Sequence, residues 1–153
     1  MNDTAVSVRE ARSQDRDAWL ALRSALWPGA AEEHREEITR YFEAREATRV
    51  GFVCVAEAEE GDLVGFAEVS IRSFAEGCTF PPVAYLEGWY VAPVWRKQGV
   101  GRALVLAAEA WGRARGCREF ASDTEAENEV SRLAHRALGF DDLGAIRCFR
   151  KVL

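Results

Sequence analysis

The stretch VAPVWRKQGVG at residues 91–101 constrains this chain more than any other. An apolar run ends at Val91, Pro93 interrupts it, and Arg96 and Lys97 bring two adjacent cations. Gly99 and Gly101 then open a segment, 99–115, in which Val100, Leu104, Ala107, Ala108 and Trp111 recur at helical spacing. A strand must therefore pass into an amphipathic helix through a cationic, glycine-containing turn. A helix N-terminus presents about four free amides and about half a positive charge, which suits an anion. Glycines at 99 and 101 admit a phosphate to the backbone, and Arg96, Lys97 and Arg102 supply the charge a pyrophosphate needs. The plainer alternative is that Gly99 starts a helix and the cations are solvated.

Spacing excludes two other phosphate loops. The string G-x-x-x-x-G-K-[ST] occurs nowhere in the chain, and Leu104 stands where a dinucleotide fingerprint needs its third glycine.

The rest of the chain supplies a sheet and helices around that turn. Residues 5–9 alternate as a strand, Ser13 is placed to cap a helix carrying Trp19, Leu22 and Leu26, and Pro28-Gly29 ends it. Residues 30–47 read as a second helix with Ile38, Tyr41 and Phe42 inward and Glu32, Glu33, Glu36 and Glu37 on a solvated face. A hairpin follows, 49–58 and 63–72 joined by EEGD, then a strand at 84–91 with an interior glycine. After helix 99–115 come a strand at 118–124, a helix at 127–138 burying Val130, Leu133, Ala134, Ala137 and Leu138, a cap at Gly139, and an alternating tail, AIRCFRKVL, that reads as a last strand. The order β-α-α-β-β-β-α-β-α-β, without repeat or linker, predicts a single α/β domain over 1–153 with a mixed sheet.

At 153 residues, 48% hydrophobic and 29% charged, the chain has the composition of a soluble globular protein. Twenty basic against 25 acidic residues leave a net charge of −5, which opposes nucleic acid or an anionic membrane as partner and favours a cationic ligand. The N-terminal stretch has no apolar run, so neither a signal peptide nor an anchor is expected, and a cytoplasmic location follows. Cys54, Cys78, Cys117 and Cys148 form no C-x-x-C pair, and His34 and His135 are scattered, so no metal site is expected. The thiols read as buried or indifferent, with Cys78 the most exposed.

The string VAPVWRKQGVG with RALVLAAEAWGRARG resembles the acetyl-CoA-binding motif of the GNAT superfamily of N-acetyltransferases, and NEVSRLAHRALGF resembles that superfamily's second cofactor segment. Within the superfamily, SALWPG (24–29), SIRSFAEGC (70–78), YLEGWYV (85–91) and CREFASDTEAEN (117–128) together resemble the chromosomal type of aminoglycoside 6′-N-acetyltransferase. The resemblance implies the GNAT fold with splayed central strands, acetyl-CoA as co-substrate, no metal, direct transfer to a 6′-amine, a role in antibiotic resistance, and a homodimer for which the apolar tail is the candidate interface.

It also implies roles for residues. The amide near Val91 would steady the thioester oxyanion, and Arg96, Lys97, Gln98, Gly99, Val100, Gly101 and Arg102 would hold the pyrophosphate. Strand alternation places Glu87, Trp89 and Val91 on one face, so Glu87 is the candidate to orient the amine and accept its proton, or else only to bind an ammonium or pair with an arginine. His135 stands where many relatives carry a tyrosine acid, on a polar stripe with Asn128 and Ser131; it is a cofactor contact and acid, or an ordinary histidine. Trp27, Phe74, Glu87 and Asp123 match substrate contacts, Trp27 being equally suited to end its helix in the core. The acceptor stays open to a polyamine, another small amine or a protein N-terminus, and a module that binds CoA or an aminoglycoside without turnover is the non-enzymatic alternative.

Overall fold

In the computed structural model, which describes residues 5–153, the hairpin at the centre of the sequence is also the centre of the sheet. Phe52–Ala58 (β2) and Leu63–Arg72 (β3) pair antiparallel across the EEGD turn. Val6–Glu10 (β1) adds antiparallel to β2, Val83–Val91 (β4) antiparallel to β3, and Phe120–Ser122 (β5) parallel to β4, giving a mixed sheet in the order β1-β2-β3-β4-β5. Residues 1–4, part of the stretch expected to hold neither signal nor anchor, lie outside the described residues.

Alternation along β2 and β3 splits the core in two. On one face Val53, Val55 and Phe66 meet Trp19 and Leu22 of Arg16–Leu26 (α1) and Ile38 and Tyr41 of Ala31–Glu43 (α2). On the other, Val69 and Ala84 meet Ala108 of Val100–Ala114 (α3), and Phe52 stacks on Trp111 with ring centroids 5.4 Å apart. Ser13 does not cap α1. It opens a single 3-10 turn, Ser13–Asp15, and Asp15 instead takes the Arg12 N–H at 2.7 Å because Arg9 holds its carboxylate in place at 2.7 Å.

The chain divides into two compact units, Met1–Ser122 and Asp123–Leu153. The second contains one helix, Glu129–Ala137 (α4), capped by Asn128, whose side chain accepts the Ser131 N–H at 3.0 Å. Two expectations are corrected there. The tail forms no strand, because a strand requires a ladder partner and none is present among the described residues; Ile146, Phe149, Val152 and Leu153 are exposed. The apolar stripe of α4 is not buried either, with Val130 74% and Leu133 54% exposed. No helix among the described residues is long and apolar enough to cross a membrane.

Candidate functional site

The β3–β4 ladder is broken at one place. Glu68 pairs with Gly88 but Val69 pairs with Leu86, so Glu87 is an extra residue bulged out of β4. The bulge overturns simple alternation. Glu87 turns to the α1 side, where Ser70 Oγ donates to its Oε1 and Arg72 grips it with Nε on Oε1 at 2.9 Å and Nη2 on Oε2 at 2.7 Å. Trp89 lies on the α3 side, its ring 3.0 Å from where a Cβ on Gly101 would stand. Val91 pairs with Gly65, whose own missing Cβ would meet Leu104 of α3 at 3.1 Å, so Val91 shares the Trp89 face.

Gly88 follows Glu87 onto the α1 face, and there the indole of Trp27 covers it: a Cβ on Gly88 would lie 2.6 Å from the Trp27 ring. Trp27 sits at the C-cap of α1, half-buried, with the Arg23 guanidinium 5.1 Å from its ring centroid and Phe66 edge-on at 6.4 Å. Beneath it lies a buried polar network. Arg23 donates to Glu68 from Nε (2.6 Å) and Nη2 (3.3 Å), and Trp19 Nε1 donates to Glu68 at 3.1 Å. His34 fixes its own tautomer: the Trp27 carbonyl at 2.8 Å only accepts, so Nε2 carries the proton, and Nδ1 accepts from Arg23 Nη1 at 3.3 Å. Burial pushes the Glu68 carboxyl up, while Arg23 and Trp19 pull it down.

At the turn, Ala92 N–H donates to the Val64 carbonyl at 2.8 Å. Val91 is therefore at the alternate position, where N–H and C=O point away from β3. Arg96 Nε accordingly reaches the Val91 carbonyl at 2.8 Å. This outward edge lies beyond the last β4–β5 pair, Leu86 with Ser122. Lys97 has φ 61° and Gly99 φ 83°, two left-handed residues that swing the chain from the short Pro93–Trp95 turn into α3. The first intrahelical acceptor is Gly99 O, taken by Ala103 N–H, so the amides of Val100, Gly101 and Arg102 open at the helix N-terminus beside exposed Lys97 and Arg102. This arrangement fits a pyrophosphate. The two glycines serve different ends: Gly99 permits the turn, whereas Gly101 makes room for Trp89. Gln98 turns back to the Val94 carbonyl at 2.8 Å.

In the second unit Asp123 is exposed, and His135 Nδ1 donates to the Ser131 carbonyl at 2.7 Å, with the ring edge-on to Phe140. A carbonyl only accepts, so Nε2 carries a proton only in the imidazolium. Phe74 is 65% exposed on the loop between β3 and β4, a loop held at its far end by Glu119, which accepts the N–H groups of Thr79 and Phe80 at 2.8 and 2.6 Å. Within α2, Glu36 and Glu37 pair with Arg40 and Glu32 with Arg35.

Sequence reading missed Ser70, Arg72, Glu68, Arg23 and His34. A signal was present, since LVGFAEVSIR carries polar residues at 68, 70 and 72, on one face of a strand that is otherwise apolar. Cys148, not Cys78, is the exposed cysteine; Cys54 and Cys117 are buried, and burial pushes the Cys54 thiol up to about 12. No cluster of three His, Cys, Asp or Glu side chains placed to hold a metal ion occurs among the described residues.

The acetyltransferase (GNAT) family pattern matches residues 17–140. The chain is 49% identical to an aminoglycoside N(6′)-acetyltransferase type 1 of Klebsiella aerogenes over 152 residues, 99% of both chains. Among solved structures it resembles the aminoglycoside N-acetyltransferase AAC(6′)-Iy in complex with CoA, at TM-score 0.89 and 35% identity over 98% of this chain and 97% of that one. AAC(6′)-Iy in complex with the bisubstrate analogue CoA-S-monomethyl-acetylneamine matches at TM-score 0.88 and 36% identity, over 98% of this chain and 100% of that one.

Proposed function

Because this chain belongs to the acetyltransferase (GNAT) family, we propose that it transfers acetyl from acetyl-CoA directly to the 6′-amine of aminoglycosides, and so confers resistance to them. The observation that carries the reading is the bulge in β4, which sets a carboxylate, Glu87, beside an aromatic surface, Trp27 on Gly88, on one face of the strand whose edge ends at the phosphate-binding turn. A sugar amine needs that pair: a carboxylate oxygen to accept its N–H and an apolar plane for its ring.

Acetyl-CoA, when bound, supplies the activated acyl group. Val100, Gly101 and Arg102 amides with Lys97 would hold its pyrophosphate, and the outward Val91 N–H would donate to the thioester carbonyl. Arg96 contributes less directly than its charge suggests, since its Nε is spent on the Val91 carbonyl. Glu87 would orient the acceptor amine and take its proton, directly or through water. Asp123 and Phe74 are assigned to the acceptor, and Asn128, Ser131 and His135 to the cofactor, His135 acting as acid only as the imidazolium.

The chain is read as one functional domain, since the family match crosses from the first compact unit into the second. A cytoplasmic homodimer is part of the reading, and the exposed, alternating apolar tail, which has no pairing partner among the described residues, supports the homodimer.

The test is thiol release from acetyl-CoA, comparing kanamycin-type substrates bearing a 6′-amine with analogues bearing a 6′-hydroxyl. Turnover confined to the amine is expected. Turnover with neither, together with tight acetyl-CoA binding, would refute the acceptor assignment.

A further inference from the structure

A carboxylate meant to attract a polycation should not already hold an arginine, yet Glu87 does. Three donors converge on it: Ser70 Oγ and Arg72 Nε on Oε1, and Arg72 Nη2 on Oε2. Ser70 and Arg72 reach it because β3 pairs Ser70 with Tyr85 and Arg72 with Val83, so both point to the α1 face, onto which the bulge also turns Glu87. Arg72 also lies against the buried Tyr85 ring, its guanidinium 3.5 Å from the ring centroid. The planar fork thus meets both an aromatic ring and a carboxylate, a place a lysine cannot fill.

We propose that Arg72, assisted by Ser70, is a positioning residue that locks the Glu87 carboxylate so that one lone pair, on Oε2, is presented to the acceptor amine; the proposal rests on the acetyl-transfer reading above. An ionised carboxylate has about four lone-pair positions. Oε1 receives two donors and Oε2 one, which leaves the second Oε2 position as the place for an incoming N–H. The Glu87 side chain is 15% exposed, enough for one contact and too little for the carboxylate to rotate freely in solvent. With Arg72 at 2.7 Å the pair has no net charge, so Glu87 directs the amine and does little to attract it. Long-range attraction for the polycation falls to other acids. Arg72 therefore acts on the rate of the bound complex more than on its formation.

The experiment is steady-state kinetics of the full chain with Arg72→Ala, Arg72→Lys and Ser70→Ala, each variant's Tm being measured alongside. Arg72→Ala is expected to lower kcat for a 6′-amine by about 10- to 100-fold, the range expected when a reacting group loses its alignment, with KM for acetyl-CoA changed less than about twofold. Millimolar guanidinium should restore part of that rate, and Arg72→Lys should not. Retained kcat, or a lower aminoglycoside KM at unchanged kcat, would show that Arg72 only opposes substrate charge and would overturn the proposal. A second readout stands apart from turnover: the Arg72 Nε–H resonance, assigned by its loss in Arg72→Lys, should be shifted and slowly exchanging and should move in Glu87→Gln. Insensitivity to Glu87→Gln overturns the clamp whatever the acceptor is. An intact signature in an enzyme that turns over no 6′-amine overturns the acetyl-transfer reading instead.

Discussion

Removing Arg23 should do more damage than removing any exposed ion pair. Its side chain is 10% exposed and that of Glu68, its partner at 2.6 Å, is 2% exposed. In Arg23→Met the Glu68 carboxylate keeps only the Trp19 indole as a donor, and His34 Nδ1 loses the group it accepts from. Breaking a buried pair in this way costs about 3–5 kcal/mol. For a chain of 153 residues that corresponds to a fall in Tm of roughly 6–20 °C, at about 2–4 °C per kcal/mol. The double variant Arg23→Met with Glu68→Gln removes both charges and keeps an amide oxygen for Trp19, so it should recover about 2 kcal/mol of the loss, a coupling within the range found for contacting residues.

The pH dependence has a definite sign. Burial holds the Glu68 carboxyl above its ordinary value, and without Arg23 it is held higher still. The folded variant then binds a proton that the unfolded chain has released, so its stability declines as pH rises from the ordinary carboxylate value through the folded one. Urea unfolding at about pH 5 and pH 8, with Cm and m fitted separately, measures this. A loss below about 1 kcal/mol, or a double variant whose deficit equals the sum of the singles, would refute the reasoning.

Gly88→Ala places a methyl 2.6 Å from the Trp27 ring, and overpacking of that kind costs about 1–3 kcal/mol; the aminoglycoside KM should rise while KM for acetyl-CoA holds. Lys97→Gly relieves a left-handed side chain at φ 61° and should leave Tm equal or higher, yet raise KM for acetyl-CoA several-fold as the cation proposed to face the pyrophosphate is lost. Asp15, held below the ordinary carboxylate value chiefly by its hydrogen bond from Arg9, contributes stability that is complete above that value and is lost as pH falls through the lower folded one. Asp15→Asn should cost about 1–3 kcal/mol at neutral pH, and in acid urea titrations its deficit should shrink. Leu104→Ala, emptying a fully buried site under Gly65 and Cys54, should cost about 2–5 kcal/mol by urea unfolding.

Periodicity and turn chemistry suffice for most of the architecture because they are local. The EEGD hairpin, the helix after Gly99 and the strand at Val83–Val91 follow from alternation, helical spacing and backbone conformations that only certain residues tolerate. The cationic, glycine-containing turn was legible for the same reason, all its parts lying within twelve consecutive residues. The predicted last strand does not form, because AIRCFRKVL alternates as a strand would but alternation cannot supply a partner edge.

The proposed acceptor side of the site was only half legible. Glu87 and Trp27 could be picked out singly, but their placement depends on one inserted residue in a ladder between strands, and a one-residue slip exchanges the faces of a strand. Nor could the chain's order reveal that Arg72 grips Glu87 from 15 positions away or that His34 reaches back to the Trp27 carbonyl. Those contacts are long-range and are decided by how the sheet registers and which helix face covers it. The sequence by itself determined most of the elements and the glycine-containing turn before α3. Only the tertiary structure decided which way the carboxylate points and what holds it there, since register and bulge are properties of two strands together and of neither alone.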